Sequence, residues 1–273
     1  MSGSSISTFQ GADGFLAALT QAGYQSLLVV EPGQFSASIT NIQLHQMRLS
    51  WVAEQLSRIA FRSLTPGMIR VVLPVRLGSL SCGGMTIGDG QFLMHGSGLS
   101  LHERTVGAVE WRDILIPSHH LMALTRALTG EPRTIPSEAQ LWRAPGKLLR
   151  KLNALHEAAT HLTEKRPRAP HSIQAAHGLE QELIGLLVEC VSAGSVEIAH
   201  TSVKRSIEVV GAFENLLLSQ AGRPLALPQV CQKLGICERS LRACFHRQLG
   251  IGPARYLRLH QAKIVDRAYS RLE

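Results

Sequence analysis

Long apolar runs are missing from this 273-residue chain, and with them any segment suited to cross a membrane as a helix. The longest stretch of that kind, Leu183 to Val191, is broken by Gly185 and Glu189 and reads as a buried helix. Met1 to Thr8 are rich in Ser and lack both a basic start and an apolar centre, which predicts a frayed terminus, not a secretory leader, on a cytoplasmic protein. The 5 cysteines, Cys82, Cys190, Cys231, Cys237 and Cys244, are odd in number and include no CxxC pair, which excludes a disulfide framework and fits a reducing compartment. Catalytic signatures are absent too. Gly96-Ser-Gly is too short for a nucleophile elbow, and Gly83-Gly84 with Gly88 and Gly90 lacks the Lys and helix start of a phosphate loop. No enzyme, catalytic group or bound cofactor is therefore assigned.

What the chain does have is unevenly placed positive charge. Its formal charge is +8, yet residues 202–273 hold 12 Lys or Arg against 5 Asp or Glu, while residues 1–201 hold 16 against 15. A quarter of the chain thus carries nearly all the excess, the footprint of a segment built to meet a polyanion. Inside it, Leu227, Val230, Cys231 and Leu234 recur at helical spacing and Gly235 follows the last of them, where a left-handed residue ends a helix without steric cost. Leu241 and Phe245 then lie one turn apart on a second helix whose outward residues are polar. Two short helices joined by a glycine turn form the layout of a helix-turn-helix, with double-stranded DNA as the partner. The residues predicted to meet DNA are Gln229 and Lys233 on the supporting helix, and Glu238, Arg239, Ser240, Arg242, Ala243, His246 and Arg247 on the reading helix. Cys231 and Cys237 read as a core residue and an N-cap, not as metal ligands.

Upstream, a helix is predicted over Asp13 to Gly23, and Glu31-Pro-Gly marks a turn. Period-two alternation follows at Phe35, Ala37 and Ile39, and again at Met47, Leu49 and Trp51 after a phase slip near His45. Further strands are predicted at Met68 to Arg76, Met85 to Ile87, Gln91 to His95, Leu99 to Glu103 and Arg112 to Ile116, with Gly88-Asp-Gly and Gly96-Ser-Gly as tight hairpins. Many short strands point to an antiparallel sandwich or barrel over residues 28–117. The pattern then turns helical: Ser118 to Leu128, Ser137 to Thr163 with Ser137 as N-cap and an interruption at Pro145-Gly146, Ile173 to Ser192, and Val203 to Gln220. Glu164 to His171 and Gly222-Arg-Pro read as connectors. The predicted class is α+β, with a β-rich domain over 1–130, a helical connector over 131–201 and an all-α DNA-binding domain over 202–273.

The run Leu234-Gly-Ile-Cys-Glu-Arg-Ser-Leu-Arg-Ala-Cys-Phe245 resembles the first helix-turn-helix of the AraC (arabinose-operon regulator) family of transcription regulators. Leu249-Gly-Ile-Gly-Pro-Ala-Arg-Tyr-Leu257 is similar to the Gly-x-x-Pro-x-x-Tyr-Leu start of that family's long central helix, here Pro253 to Arg271. Pro32-Gly-x-Phe35, ahead of the sheet, resembles the ethanolamine-operon-regulator branch. The resemblance implies a cupin-like N-terminal domain for sensing or dimerisation. Its implied partners are a small-molecule effector, a second copy in a homodimer, and RNA polymerase. It departs from the family at Cys237, where Ser or Thr is usual, and after the central helix, where a second helix-turn-helix is expected and Glu273 ends the sequence. The alternative is accordingly a truncated or vestigial regulator that dimerises without specific DNA binding. No His-x-His pair of the cupin enzymes occurs in the sheet region, so His95, His102, Glu103, His119 and His120 read as ordinary surface or core residues, and no metal is assigned. Trp51, Phe61, Phe92 and Trp111 read as core more than as the lining of an apolar pocket.

Overall fold

The computed structural model describes residues 3–75, 80–96, 100–130, 138–165, 173–197, 201–220 and 225–269. The Ser137 cap, the Gly96-Ser-Gly hairpin, most of the Glu164 to His171 connector, Gly222-Arg-Pro and the end of the central helix lie outside these residues. Thirteen strands and eight helices follow one another along the described chain. The larger sheet contains β1 (Gly3–Phe9), β3 (Ala37–Gln43), β4 (Arg48–Glu54), β11 (Val109–Pro117), β6 (Met68–Pro74), β9 (Gln91–His95), β12 (Gln140–Arg143) and β13 (Ser195–Glu197), in that spatial order. The smaller contains β2 (Tyr24–Val29), β5 (Arg58–Ser63), β10 (Ser100–Thr105), β7 (Leu80–Cys82) and β8 (Met85–Thr86). All pairings are antiparallel.

Because successive strand residues point to opposite faces, each strand serves two layers. Ile39, Val52, Val72, Leu93 and Trp111 of the large sheet meet Leu27, Ala60, Leu80, Cys82 and Leu101 of the small one to form the sandwich core. On the large sheet's reverse face, Leu49, Ile69, Val71, Leu73, Phe92, Ile114 and Ile116 pack against α2 (Ser118–Thr129), α3 (Gly146–Lys165) and α4 (Ile173–Ser192). On the small sheet's reverse face, Leu28 and Ile59 join a third core with α5 (Thr201–Ser219), α6 (Leu227–Leu234), α7 (Glu238–Leu249) and α8 (Pro253–Tyr269). The remaining helix, α1 (Ala12–Leu19), seals one end of the sandwich with Phe15, Leu16 and Leu19.

Two sequence expectations change. Gly3 to Thr8 are not frayed: β1 pairs in register with β3 from Gly3↔Gln43 to Phe9↔Ala37. Residues 140–143 are a strand between β9 and β13, not the start of a helix, because Leu141 and Trp142 bury on opposite faces of the sheet and Pro145 delays helix entry until Gly146. The four aromatic residues considered for a pocket do not share one. Phe92 stacks on Trp142, Phe61 lies against His102, Trp111 is central in the sandwich, and Trp51 carries the Arg112 guanidinium 4.8 Å above its ring.

The sandwich interior holds a charged cluster. Glu103 of β10 is fully buried and accepts from Tyr24 at 2.6 Å, with Arg58 and Arg62 of β5 at 3.4 and 3.5 Å and Arg70 of β6 in contact. Arg58 also pairs with Glu54 at 3.0 Å, and Arg70 donates to Asp113 at 2.9 Å. Burial alone would raise the Glu103 carboxyl, but the guanidiniums, Arg70 foremost, outweigh it and hold the group well below the usual carboxylate range. Removing one partner from such a cluster strands the others, so Glu103→Gln should destabilise the fold by about 3–5 kcal/mol in urea unfolding.

His156 of α3 is buried against the backbone carbonyl of Asp113, at 3.2 Å, and burial lowers its pKa from 6.5 to about 4. The unfolded chain therefore binds this proton more readily than the native one. Stability contributed by the neutral ring is present above pH 6.5 and lost as pH falls toward about 4. The loss should reach about 3 kcal/mol, and His156→Gln should flatten that part of a stability–pH curve measured by urea titration.

Candidate nucleic-acid interface

The third core builds the head from the residues upward. Pro228 sits in the first turn of α6, where its missing N–H costs nothing, and the Gln229 side-chain oxygen accepts from the Ala226 N–H at 3.1 Å. Gly235 adopts φ 62°, a left-handed conformation that closes α6, and the Ile236 N–H returns to the Cys231 carbonyl at 3.1 Å. Cys237 is the N-cap of α7 in extended conformation. Its thiol donates to the Ser240 hydroxyl at 3.2 Å and makes no side-chain cap on the backbone. Ser240, able to donate from its hydroxyl and backbone N–H to the thiolate, holds the exposed thiol below its ordinary pKa.

Helix α7 is divided lengthwise. Leu241, Cys244, Phe245, Gln248 and Leu249 are buried, with the Phe245 ring 4.6 Å from Phe213 of α5 and 5.6 Å from Tyr256 of α8. Arg239, Arg242, Ala243 and His246 form the opposite, exposed face. Arg242 pairs there with Glu238 at 2.5 Å, an exposed i,i+4 contact of small energetic weight that phosphate or base edges can displace. Lys233 and Gln229 are exposed on α6. Ser240 is half-buried, with its hydroxyl engaged by Cys237. Arg247 is turned toward α5, donating to the Ser202 carbonyl at 2.9 Å and the Ser206 hydroxyl at 3.2 Å.

The head is clamped to the small sheet by polar contacts that periodicity gives no sign of. Glu214 of α5, buried, accepts from Ser26 of β2 at 2.7 Å and from Tyr256 of α8 at 2.5 Å, with His102 of β10 3.6 Å away. Burial raises the Glu214 carboxyl, but these hydrogen bonds and the His102 ring bring it below its ordinary value. Arg255 reaches the Val30 carbonyl at 3.1 Å, and Lys263 reaches the Leu27 carbonyl at 2.6 Å and Asp13 at 3.1 Å. Gly250, at φ 67°, lies so close to Arg104 of β10 that a Cβ would stand 2.5 Å from the guanidinium. Of this junction, Tyr256 stood in the Pro-x-x-Tyr run of the sequence, and His102 and Glu103 stood out as titratable neighbours. The fold sends those neighbours to opposite faces of β10, His102 to the head and Glu103 to the sandwich interior.

No protein-family model matches the chain, and no curated protein matches it. Among solved structures it is similar to the AraC-like transcriptional activator CuxR, with a TM-score of 0.51 at 15% identity over 97% of this chain and 95% of that one. Slighter likenesses are to ToxT from Vibrio cholerae O395, at a TM-score of 0.34, 9% identity and 78% of each chain, and to a putative ethanolamine utilization protein Q from Salmonella typhimurium LT2. The latter has a TM-score of 0.20 and 12% identity, over 43% of this chain and 98% of that one. At the level of fold the resemblance read from the sequence holds. The chain shares the α+β fold of CuxR, with an antiparallel β-rich N-terminal part, connecting helices and an all-α C-terminal part that contains the helix-turn-helix. No helix among the described residues is long and apolar enough to cross a membrane.

The unused cap gives a test of the local geometry. Cys237→Ser supplies a strong acceptor for the orphan N–H groups at the start of α7 and should raise the melting temperature, stabilising by about 0.5–1 kcal/mol.

Proposed function

We propose that the chain is a DNA-binding transcription regulator of the AraC type that inserts α7 into the major groove and works in the cytoplasm as a homodimer. The observation that carries this reading is the lengthwise division of α7. Its buried face is fixed by Phe213, Phe245 and Tyr256, and its outer face offers Arg239, Arg242, Ala243 and His246 together. Arg239 and Arg242 are the donors suited to guanine edges or phosphates, and the small Ala243 beside them lets the helix approach the bases. Lys233 and Gln229 flank the groove and suit the sugar–phosphate backbone, with Glu238 and Ser240 at the leading end of the helix. Arg247, engaged by α5, serves the seating of the head more than the reading of DNA.

A small-molecule effector fits this architecture at the seam between β10 and α5. A cleft there is lined by Leu101, Glu138, Lys204 and Ile207, with Lys204 and Glu138 paired at 2.6 Å. An occupant would bear directly on α5, the helix that holds both α7 and the buried Glu214 contact.

The test is fluorescence anisotropy of the full chain on DNA from upstream of its own coding region and on a shuffled copy, across a salt series. The native fragment should bind more tightly and retain binding at physiological salt. Arg239→Ala and Arg242→Ala should each cost about 1–3 kcal/mol of affinity, whereas Arg247→Ala should lower the melting temperature more than the affinity. Equal binding to both fragments, abolished by salt, would sink the reading and favour a regulator that pairs with other chains without reading sequence.

A further inference from the structure

Far from the head, on the large sheet's reverse face, the fold gathers imidazoles and a carboxylate from three separate elements. His45 lies in the turn between β3 and β4, His120 in the first turn of α2, and His177 and Glu180 one turn apart on α4. One ligand atom each from His45, His177 and Glu180 all lie within 4.8 Å of one another. The Nδ1 atoms of His45 and His120 approach the same carboxylate oxygen, Glu180 Oε1, at 3.9 and 3.8 Å.

Glu180 is the informative member. Its side chain is 0% exposed, yet only one of its two oxygens is bonded. Oε2 accepts from the backbone N–H groups of Gln46 at 2.8 Å and Met47 at 3.0 Å, which fixes the carboxylate plane and aims Oε1 at the three imidazoles. Oε1 itself has no hydrogen-bond partner, and neither has the buried Nδ1 of His120. A buried carboxylate oxygen and a buried ring nitrogen left unpartnered a few ångströms apart are costly unless something sits between them. A carboxylate whose other oxygen is held by second-shell donors is the arrangement by which proteins orient a metal ligand.

We propose that His45, His120, His177 and Glu180 form a binding site for a divalent transition cation of the zinc class. Three imidazole nitrogens and one carboxylate oxygen match the ligand preference and tetrahedral number of that ion, and disfavour the oxygen-seeking magnesium and calcium. Zinc–ligand bonds of about 2.0–2.2 Å place neighbouring donors roughly 3.3 Å apart, so His45, His177 and Glu180 must draw in from their spacing within 4.8 Å, and His120 must swing in from 3.8 Å off the Glu180 oxygen. The exposed His45 and His177 rings, in edge contact at 5.8 Å, are free of packing that would oppose this. The site would rivet the β3–β4 turn, the start of α2 and α4 to one point, and so fasten the helical layer to the sheet. It lies outside the sandwich, apart from both the Glu103 cluster and the reading head.

The test titrates zinc chloride into the metal-stripped full chain, with equilibrium dialysis for stoichiometry and thermal melting as a second readout. One zinc per chain is expected, with a rise in melting temperature. Loss of a second-shell partner typically weakens a metal about 10- to 100-fold, so His45→Ala with His177→Ala, both exposed and tolerable to the fold, should weaken zinc more than tenfold and abolish the thermal shift. Cobalt in place of zinc should give the visible absorption of a tetrahedral nitrogen–oxygen site without a thiolate charge-transfer band. Three results would overturn the proposal: no stoichiometric zinc, unchanged zinc affinity in the double variant, or a thiolate band assigning the metal to Cys231 or Cys237.

Discussion

A single buried carboxylate governs the middle of this molecule. Glu103 sits between two sheets where hydrocarbon would ordinarily be, and it neutralises guanidiniums that arrive from β5 and β6 on opposite sides of the sandwich. Without it, Arg58, Arg62 and Arg70 would repel one another in a medium of low polarity, and the sheets could not close at this end. With it, they close in one register, because Arg70 must also meet Asp113 and Arg58 must also meet Glu54. Tyr24 completes the arrangement, its hydroxyl on Glu103 and its ring under Arg62 at 4.8 Å. An apolar filling would hold the layers together as firmly but would tolerate a slip; this cluster does not.

On the outer side of the same strands the chain meets its own C-terminal helices. The seam combines apolar residues from both partners, Leu28 and Ile59 with Val210, Phe213 and Phe245, and a polar knot in which Glu214 is shared by Ser26, Tyr256 and His102. A seam of that kind is more specific than adhesive oil. The carboxylate is satisfied only when α5, α8, β2 and β10 are all in place, so the head and the sandwich form one cooperative piece.

Much of this was legible in the residues. The helix-turn-helix could be read because its apolar positions fall at helical spacing and Gly235 marks the turn, β3 and β4 because apolar and polar residues alternate there, and β6, β9 and β11 because they are short apolar-rich runs bounded by turn residues. β5 was not, since Arg58 and Arg62 occupy the inward positions where alternation calls for apolar residues, and charge inside a sheet looks from sequence like charge outside it. β1 was hidden by Ser and Thr, which read as a loose end until β3 is seen to need a neighbour. β12 was hidden by its brevity ahead of a strong helix. The exposed polar residues of α6 and α7 could be read as a set but not which of them the fold engages, because the Arg247 contact with the Ser202 carbonyl depends on α5, 45 residues away in the chain. The Glu214 knot and the imidazoles around Glu180 join elements too distant in sequence for any local pattern to reveal.

The tethering of α7 sets how such a head can respond. Arg247 and Gln248 bind it to α5, Phe245 binds it to the common core, and Gly250 lets it settle against Arg104. A helix fastened on three sides cannot swivel by itself. In the proposed homodimer, what stays adjustable is the orientation of the whole subunit relative to the other copy, a rigid-body change of the kind subunit interfaces allow. In the DNA-bound homodimer proposed above, the quantity left open to control is then the distance and phase between two half-sites along the double helix, with the letters read at each half-site unchanged.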